Sequence, residues 1–223
     1  RLKYNAQPYH LSVQPDEAKK VLKSETDTSL FDAVDAWLAR TPFLQTDDYD
    51  FKTHYGDAVR EMLREDRESV LRFVKSDEDR ERNLKQIEST EKVFESILNE
   101  DRYQELRAQG SFRLQHKSIQ AALLILLYRD QPIFNLPFQL LTKLQDIDEL
   151  MTTWRYRHAL MAHRMLGTKI GTGGSSGHTY LKAATENHRV YGDFFNLTTF
   201  LIPRSSLPQL PESLSKRLGF QTT

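Results

Sequence analysis

SIQAALLILLYRD, residues 118–130, decides the fold class. Between Ile119 and Tyr128 a helix would be apolar on nearly every side, and such a helix belongs at the centre of a bundle. The longest apolar run, Ala121 to Tyr128, is far too short to cross a bilayer, which takes about twenty residues. Outward toward the N-terminus, Asp57 to Arg107 is densely charged, with Val59, Met62, Leu63, Val70, Phe73 and Val74, then Leu84, Ile87, Val93, Phe94, Ile97 and Leu98, at helical intervals. That pattern predicts two amphipathic helices, broken near Ser76–Arg80 and solvated on their outer faces. Before them, Thr28 or Ser29 offers an N-cap for a helix through Leu30, Phe31, Val34, Trp37 and Leu38, ended by Pro42. Residues 1–15 read as an arm punctuated by Pro8 and Pro15, and 16–23 as a short helix.

Outward toward the C-terminus, Pro132 and Pro137 separate the apolar helix from a long helical pattern, Phe138 to Leu166, which Gly167 and a glycine run end. HTYLKAATE (178–186) and YGDFFNLTTFLIP (191–203) read as two more helices, and Glu212–Leu218 as a last short one. No sustained strand alternation, hairpin turn or internal repeat stands out. The expected class is all-α: a helical bundle with a smaller charged helical insert. The expected divisions are an arm at 1–27, the insert at 28–110 and the bundle portion at 111–223.

The chain has 223 residues, enough to bury roughly 70% of its unfolded surface. Lys plus Arg and Asp plus Glu are both 31, so no nucleic acid and no membrane surface is expected as a partner. The absence of cysteine excludes disulfides, thiolate catalysis and cysteine-ligated metal sites. Residues 1–14 are polar and hold no signal peptide, and a cytoplasmic location is expected. The opening RLKYNAQPYHLSVQP reads as the middle of a polypeptide, so a cut or truncated product is expected.

The densest chemistry lies in WRYRHALMAHRMLGTKIGTGGSSGHTYLK, residues 154–182. On one helix His158 and His163 would point about 140° apart, so they cannot ligate one metal together. His158 has Trp154 one turn before it and Ala162 one turn after it. That setting suits a single axial haem ligand, although a lone histidine on a helix is more often a hydrogen-bonded core residue. His163 reads as a structural or interface residue. His10, His54, His116, His178 and His188 have no supporting constellation. The run GTGGSSG, 171–177, lacks the Gly-Lys-Ser/Thr ending of a phosphate loop, and a helix rather than a strand precedes it, so both nucleotide readings fail. It remains either an inter-helix loop or a cover for a small polar ligand, with Thr172 and Ser175 offering hydroxyls.

DIDELMTTWRYRHALMAHRMLG (146–167) followed by GTGGSSGHTYLK (171–182) resembles the tryptophan 2,3-dioxygenase family. PFQLLTKLQDID (137–148), LLYRDQPIF (126–134) and FFNLTTFLIPR (194–204) extend the likeness, which is close over 111–205. TSLFDAVDAWLARTPFL (28–44) looks like the region feeding the family's small helical insert, and 45–110 matches only in general character.

The resemblance implies haem b (iron protoporphyrin IX) as cofactor and His158 as the iron ligand. It implies Trp154 and Tyr180 as neighbours of that ligand on the proximal side, beside Ala162. It implies Thr172, Gly173, Gly174 and Ser175 as the loop that meets the amino-acid end of L-tryptophan. The implied reaction inserts both atoms of O2 and breaks the indole C2–C3 bond, giving N-formyl-L-kynurenine, in a homotetramer. Arg157 stands where many members have asparagine, and Thr168, Ile170 and His178 also vary. The family's distal residues belong to an N-terminal half that precedes the sequence beginning here, so no distal catalytic residue is expected in this chain, and that half is an expected partner. A related haem oxygenase acting on another indole, and a non-catalytic helical haem-binding or interaction fragment, are the alternatives.

Overall fold

The structure is a computed structural model and describes residues 27–166 and 189–219, apart from the side chains of Ala162, His163 and Leu166. The arm, the expected helix at 16–23, the helix expected at 178–186 and the glycine run lie outside the described residues. The described chain divides into two compact units, one of 27–34, 142–166 and 189–192, the other of 35–141 and 193–219.

Helix α1 spans Leu30–Ala39. Ser29 caps it as expected: the Asp32 N–H donates to Ser29 Oγ at 3.1 Å, and the Ser29 N–H donates back to Asp32 Oδ2 at 3.2 Å. After Pro42 the chain turns through Phe43, whose φ of 74° is left-handed. A two-stranded antiparallel ribbon follows, β1 (Gln45–Thr46) and β2 (Tyr49–Asp50). Strands this short show no alternation, which is why none was expected.

Helices α2 (Phe51–Phe73) and α3 (Asp77–Leu98) form an antiparallel hairpin, broken at Val74–Ser76. Ser76 caps α3 by accepting the Asp79 N–H at 3.3 Å. The expected second helix is in fact two. Asn99 ends α3 and caps α4 (Glu100–Ala108), accepting the Arg102 N–H at 3.1 Å. One polar side chain that caps so readily breaks a pattern whose hydrophobic spacing runs straight through it. Gly110, at φ 82°, closes α4 in the left-handed conformation, and the Ser111 N–H reaches back to Leu106 C=O at 2.9 Å.

Helix α5 (His116–Leu127) is the apolar segment, and eight of its residues are buried, including Ile119, Ala121, Ala122, Leu123, Leu124 and Ile125. A chain of rings packs against it in the same unit: Phe51 on Tyr55, Tyr55 on Phe94, Phe94 on Phe200, Phe200 on Phe112, and Phe112 on Tyr103. Its two phenols are satisfied by main chain: Tyr55 donates to Phe200 C=O at 2.6 Å and Tyr103 to Leu114 C=O at 3.0 Å.

Helix α6 starts earlier than expected, at Pro132, and runs to Leu166 with Pro137 inside it. Pro132 takes the first helical position, where no N–H is missed. Pro137 falls in the second turn, so its ring meets only the first turn and forfeits a single hydrogen bond. Of the expected helix in 191–203, only α7 (Gly192–Asn196) is α-helical, and a 3₁₀ turn at Leu197–Phe200 completes it before Pro203. A second 3₁₀ turn covers Arg204–Ser206, and α8 covers Glu212–Leu218 as expected, with Leu214 and Leu218 buried. Among the described residues the only strands are β1 and β2, and the class is all-α.

Candidate functional site

The part of α6 from Thr142 onward turns Leu144 and Asp148 inward, at 4% and 2% exposure. Its other face is open: Ile147, Leu150, Trp154, Met161 and Met165 are all exposed. Ile147, Trp154 and Met161 recur every seven residues, which keeps them on one stripe. A stripe of this kind on a helix marks a surface that another group or segment covers.

Trp154 and His158 are one turn apart, so their side chains meet on one face. The rings stack, with centroids 5.2 Å apart and planes 10° apart. Trp154 is 54% exposed and His158 is exposed with it. Among the described residues no hydrogen bond engages the His158 imidazole. Two other histidines show the contrasting, structural arrangement. His116 is buried, with Nε2 2.7 Å from Ile97 C=O and its ring against Tyr103. His54 sets Nδ1 2.7 Å from Asp50 C=O and stacks on Tyr49. The His158 ring is therefore exposed and stacked on an indole.

Among the described residues no group of three or more His, Asp or Glu side chains gathers as a metal site. Ala162 follows one turn after His158 in the helix, but its side chain, like that of His163, lies outside the described residues. Thr172, Gly173, Gly174, Ser175 and Tyr180 lie outside them too, so the structure brings together only Trp154 and His158 of the expected set.

Sequence reasoning missed Asp148. Its Oδ1 accepts the Val190 N–H at 3.0 Å and its Oδ2 the Tyr191 N–H at 3.1 Å. Tyr191 is buried, its ring 6.1 Å from Phe31. The available signal was an acidic residue four places after the inward-facing Leu144, where the helical period calls for an apolar one. No described helix is long and apolar enough to cross a membrane.

The family described as tryptophan 2,3-dioxygenase matches residues 1–201, a wider span than the motifs alone carry. A protein of Alteromonas mediterranea named tryptophan 2,3-dioxygenase is 48% identical over 99% of this chain and 61% of its own length. One of Bdellovibrio bacteriovorus with the same name is 49% identical over 99% of this chain and 62% of its own length. One of Mus musculus, again so named, is 40% identical over 98% of this chain and 54% of its own length. The chain thus spans between half and two thirds of the length of these relatives. With nearly its whole length matched in this way, the chain belongs to the tryptophan 2,3-dioxygenase family.

Proposed function

We propose that this chain is the haem-bearing part of a dioxygenase that cleaves the indole C2–C3 bond of L-tryptophan with O2, giving N-formyl-L-kynurenine, the first step of tryptophan breakdown by the kynurenine route. The observation that carries the reading is the exposed His158 imidazole stacked on Trp154, with no hydrogen bond to it among the described residues. An exposed imidazole that joins no cluster of ligating side chains among the described residues fits a metal whose remaining ligands come from a macrocycle. The exposed apolar residues along the same helix suit the flat faces of haem b. When bound, haem b supplies the oxygen chemistry.

The chain's own residues bind, orient and exclude water. His158 offers one ring nitrogen to the iron, and Trp154 restrains the imidazole from rotating. Ala162 is small enough to leave room for a flat group beside the helix, and Tyr180 adds a second proximal contact. The Thr172 hydroxyl meets the charged end of tryptophan, and Gly173, Gly174 and Ser175 add main-chain N–H groups and a second hydroxyl. Holding the substrate's charged end fixes where its indole lies, which is the positional part of catalysis. The exposed stripe excludes water once it is covered. The covering segment in this reading is the N-terminal half of the same enzyme, within a cytoplasmic homotetramer. Residues 28–110 form the insert of that assembly and 111–223 its haem-bearing portion.

A haem absorption titration of the complete assembly tests the reading, with His158→Ala and His163→Ala compared and tryptophan turnover followed in the same samples. Loss of the histidine-ligated spectrum and of turnover in His158→Ala alone is expected. Loss in His163→Ala alone would move the ligand to the other histidine, and indifference to both would remove the axial ligand from this chain.

A further inference from the structure

We infer that the C-terminal end of α5 borders a binding site for a small organic anion, a carboxylate carried on a single ring or a short chain. The inference stands apart from the dioxygenase reading. It concerns a cavity of about 420 Å³ in the unit of 35–141 and 193–219, whereas His158 belongs to the other unit. Small-molecule sites typically enclose about 300–1,000 Å³. The walls are apolar: Leu126 and Leu127 from the last turn of α5, and Ile202, Leu207 and Leu210 from the chain beyond α7. They are tied together. Tyr128, 5% exposed, donates its hydroxyl to Pro208 C=O at 2.7 Å. The Gln131 N–H turns back to Tyr128 C=O at 2.9 Å, and the Ser206 N–H to Pro203 C=O at 2.9 Å. A cavity framed in this way needs little ordering when a ligand enters.

The charged lining residues are Arg129, Asp130 and Arg204, and all three are exposed. Asp130 is the only carboxylate in the lining, set against two guanidiniums. Arg204 forms an ion pair with it at 2.8 Å. The Arg129 guanidinium sits over the Phe138 ring, 5.7 Å from its centroid. Neither guanidinium donates a hydrogen bond among the described residues. Arg64, by contrast, gives its N–H groups to Glu61 and Glu68. A guanidinium whose fork is unspent can take a carboxylate through two parallel bonds. Gln131, Gln209 and Ser215 add amide and hydroxyl donors to the same lining. The negative end of the α5 dipole favours a cation, so the surplus arginine is what turns the site toward an anion. The apolar walls then select an anion with an apolar body over a bare inorganic one.

The test is isothermal titration calorimetry of the complete assembly with phenylacetate, beside phenylacetamide, phenethylamine and inorganic phosphate. Phenylacetate is expected to bind saturably, about ten-fold tighter than each of the other three. Arg204→Gln should weaken it by about ten-fold. Asp130→Asn frees Arg204 from its partner and should tighten it by about three-fold. The Arg204 and Asp130 side chains are 84% and 59% exposed, so neither change threatens the fold. The opposite signs of the two variants place the bound anion at this ion pair rather than elsewhere in the assembly. No saturable binding of phenylacetate, equal affinity for phenylacetamide, preference for phenethylamine, or an affinity that Arg204→Gln leaves unchanged would each overturn the site.

Discussion

Asp193 and Asp35 between them accept three consecutive main-chain N–H groups. Asp193 Oδ2 takes those of Arg113 and Leu114, at 2.8 and 2.7 Å, and Asp35 Oδ1 takes that of Gln115 at 3.0 Å. Asp35 also accepts the Gln115 side-chain amide at 3.0 Å, and its C=O accepts the Ser118 hydroxyl at 2.9 Å. Gln115 precedes α5 and makes no side-chain cap of its own. The chain entering the central apolar helix is therefore held by two distant segments, which also bring the negative charge that suits a helix N-terminus.

Removing either carboxylate strands buried donors. Asp193→Ala is expected to cost about 2–4 kcal/mol, since two main-chain N–H groups lose a charged acceptor. Asp193→Asn should cost less, because its amide oxygen can still serve one of them. The shift of the urea midpoint at constant slope measures both, and a midpoint unmoved by Asp193→Ala would show that these bonds do not hold α5.

High pH should open the same unit. Burial raises the phenols of Tyr49, Tyr55 and Tyr103 well above their ordinary value, with Tyr128 adding to the shift at Tyr49 and the Asp193 charge to that at Tyr103. A raised folded value favours the neutral phenol. Its stabilising contribution is intact below the ordinary value of about 10 and drains as pH rises toward the folded value, by about 1.4 kcal/mol per pH unit for each tyrosine. Tyrosinate absorbance should show these three ionising together with unfolding. Smooth titration of all nine tyrosines near the ordinary value would contradict their burial.

Acid acts on a link at the surface. The Ser213 hydroxyl, then that of Thr46, holds the exposed Asp48 carboxyl below its usual range. A depressed folded value makes this link to α8 present above the ordinary carboxyl range and lost as pH falls through the folded value. Ser213→Ala should raise the Asp48 midpoint, followed by carboxyl NMR. An unmoved midpoint would remove Ser213 as the cause.

At the candidate site, Trp154→Ala should weaken haem binding by up to about ten-fold, as expected for losing an aromatic contact of about 0.5–1.5 kcal/mol. Both rings are exposed, so the thermal midpoint of the haem-free protein should hardly move. Unchanged haem affinity would mean that the stack does not orient His158.

Local signals carried much of the fold. The composition of α5, the Ser29 cap and the Glu212–Leu218 helix all follow from residues a few places apart. Pro137 misled because a proline is costly deep in a helix and cheap in its second turn, and where α6 begins is set outside the pattern. The aspartate staples were invisible because their partners lie about eighty residues away in the chain, a separation no periodicity records. The Trp154–His158 stack was legible as a one-turn spacing. That His158 is exposed was not, because exposure depends on what else packs there.

The α2–α3 hairpin leaves one more consequence. Beyond Leu63 in α2, and before Ile87 in α3, neither helix fully buries a residue, and the ion pair of Arg67 with Glu91 joins them on the way to the tip. The inner half belongs to the core, and the outer half has only half-buried apolar residues, Val70, Val74 and Leu84, beside its own turns and surface charge. Amide hydrogen exchange should fall off along each helix toward Val74, from rates set by global unfolding to rates set by fraying. In engineering terms the outer half is a handle: matched turns can be added to or cut from both helices, or a tag spliced in at Val74–Ser76, without the core registering the change.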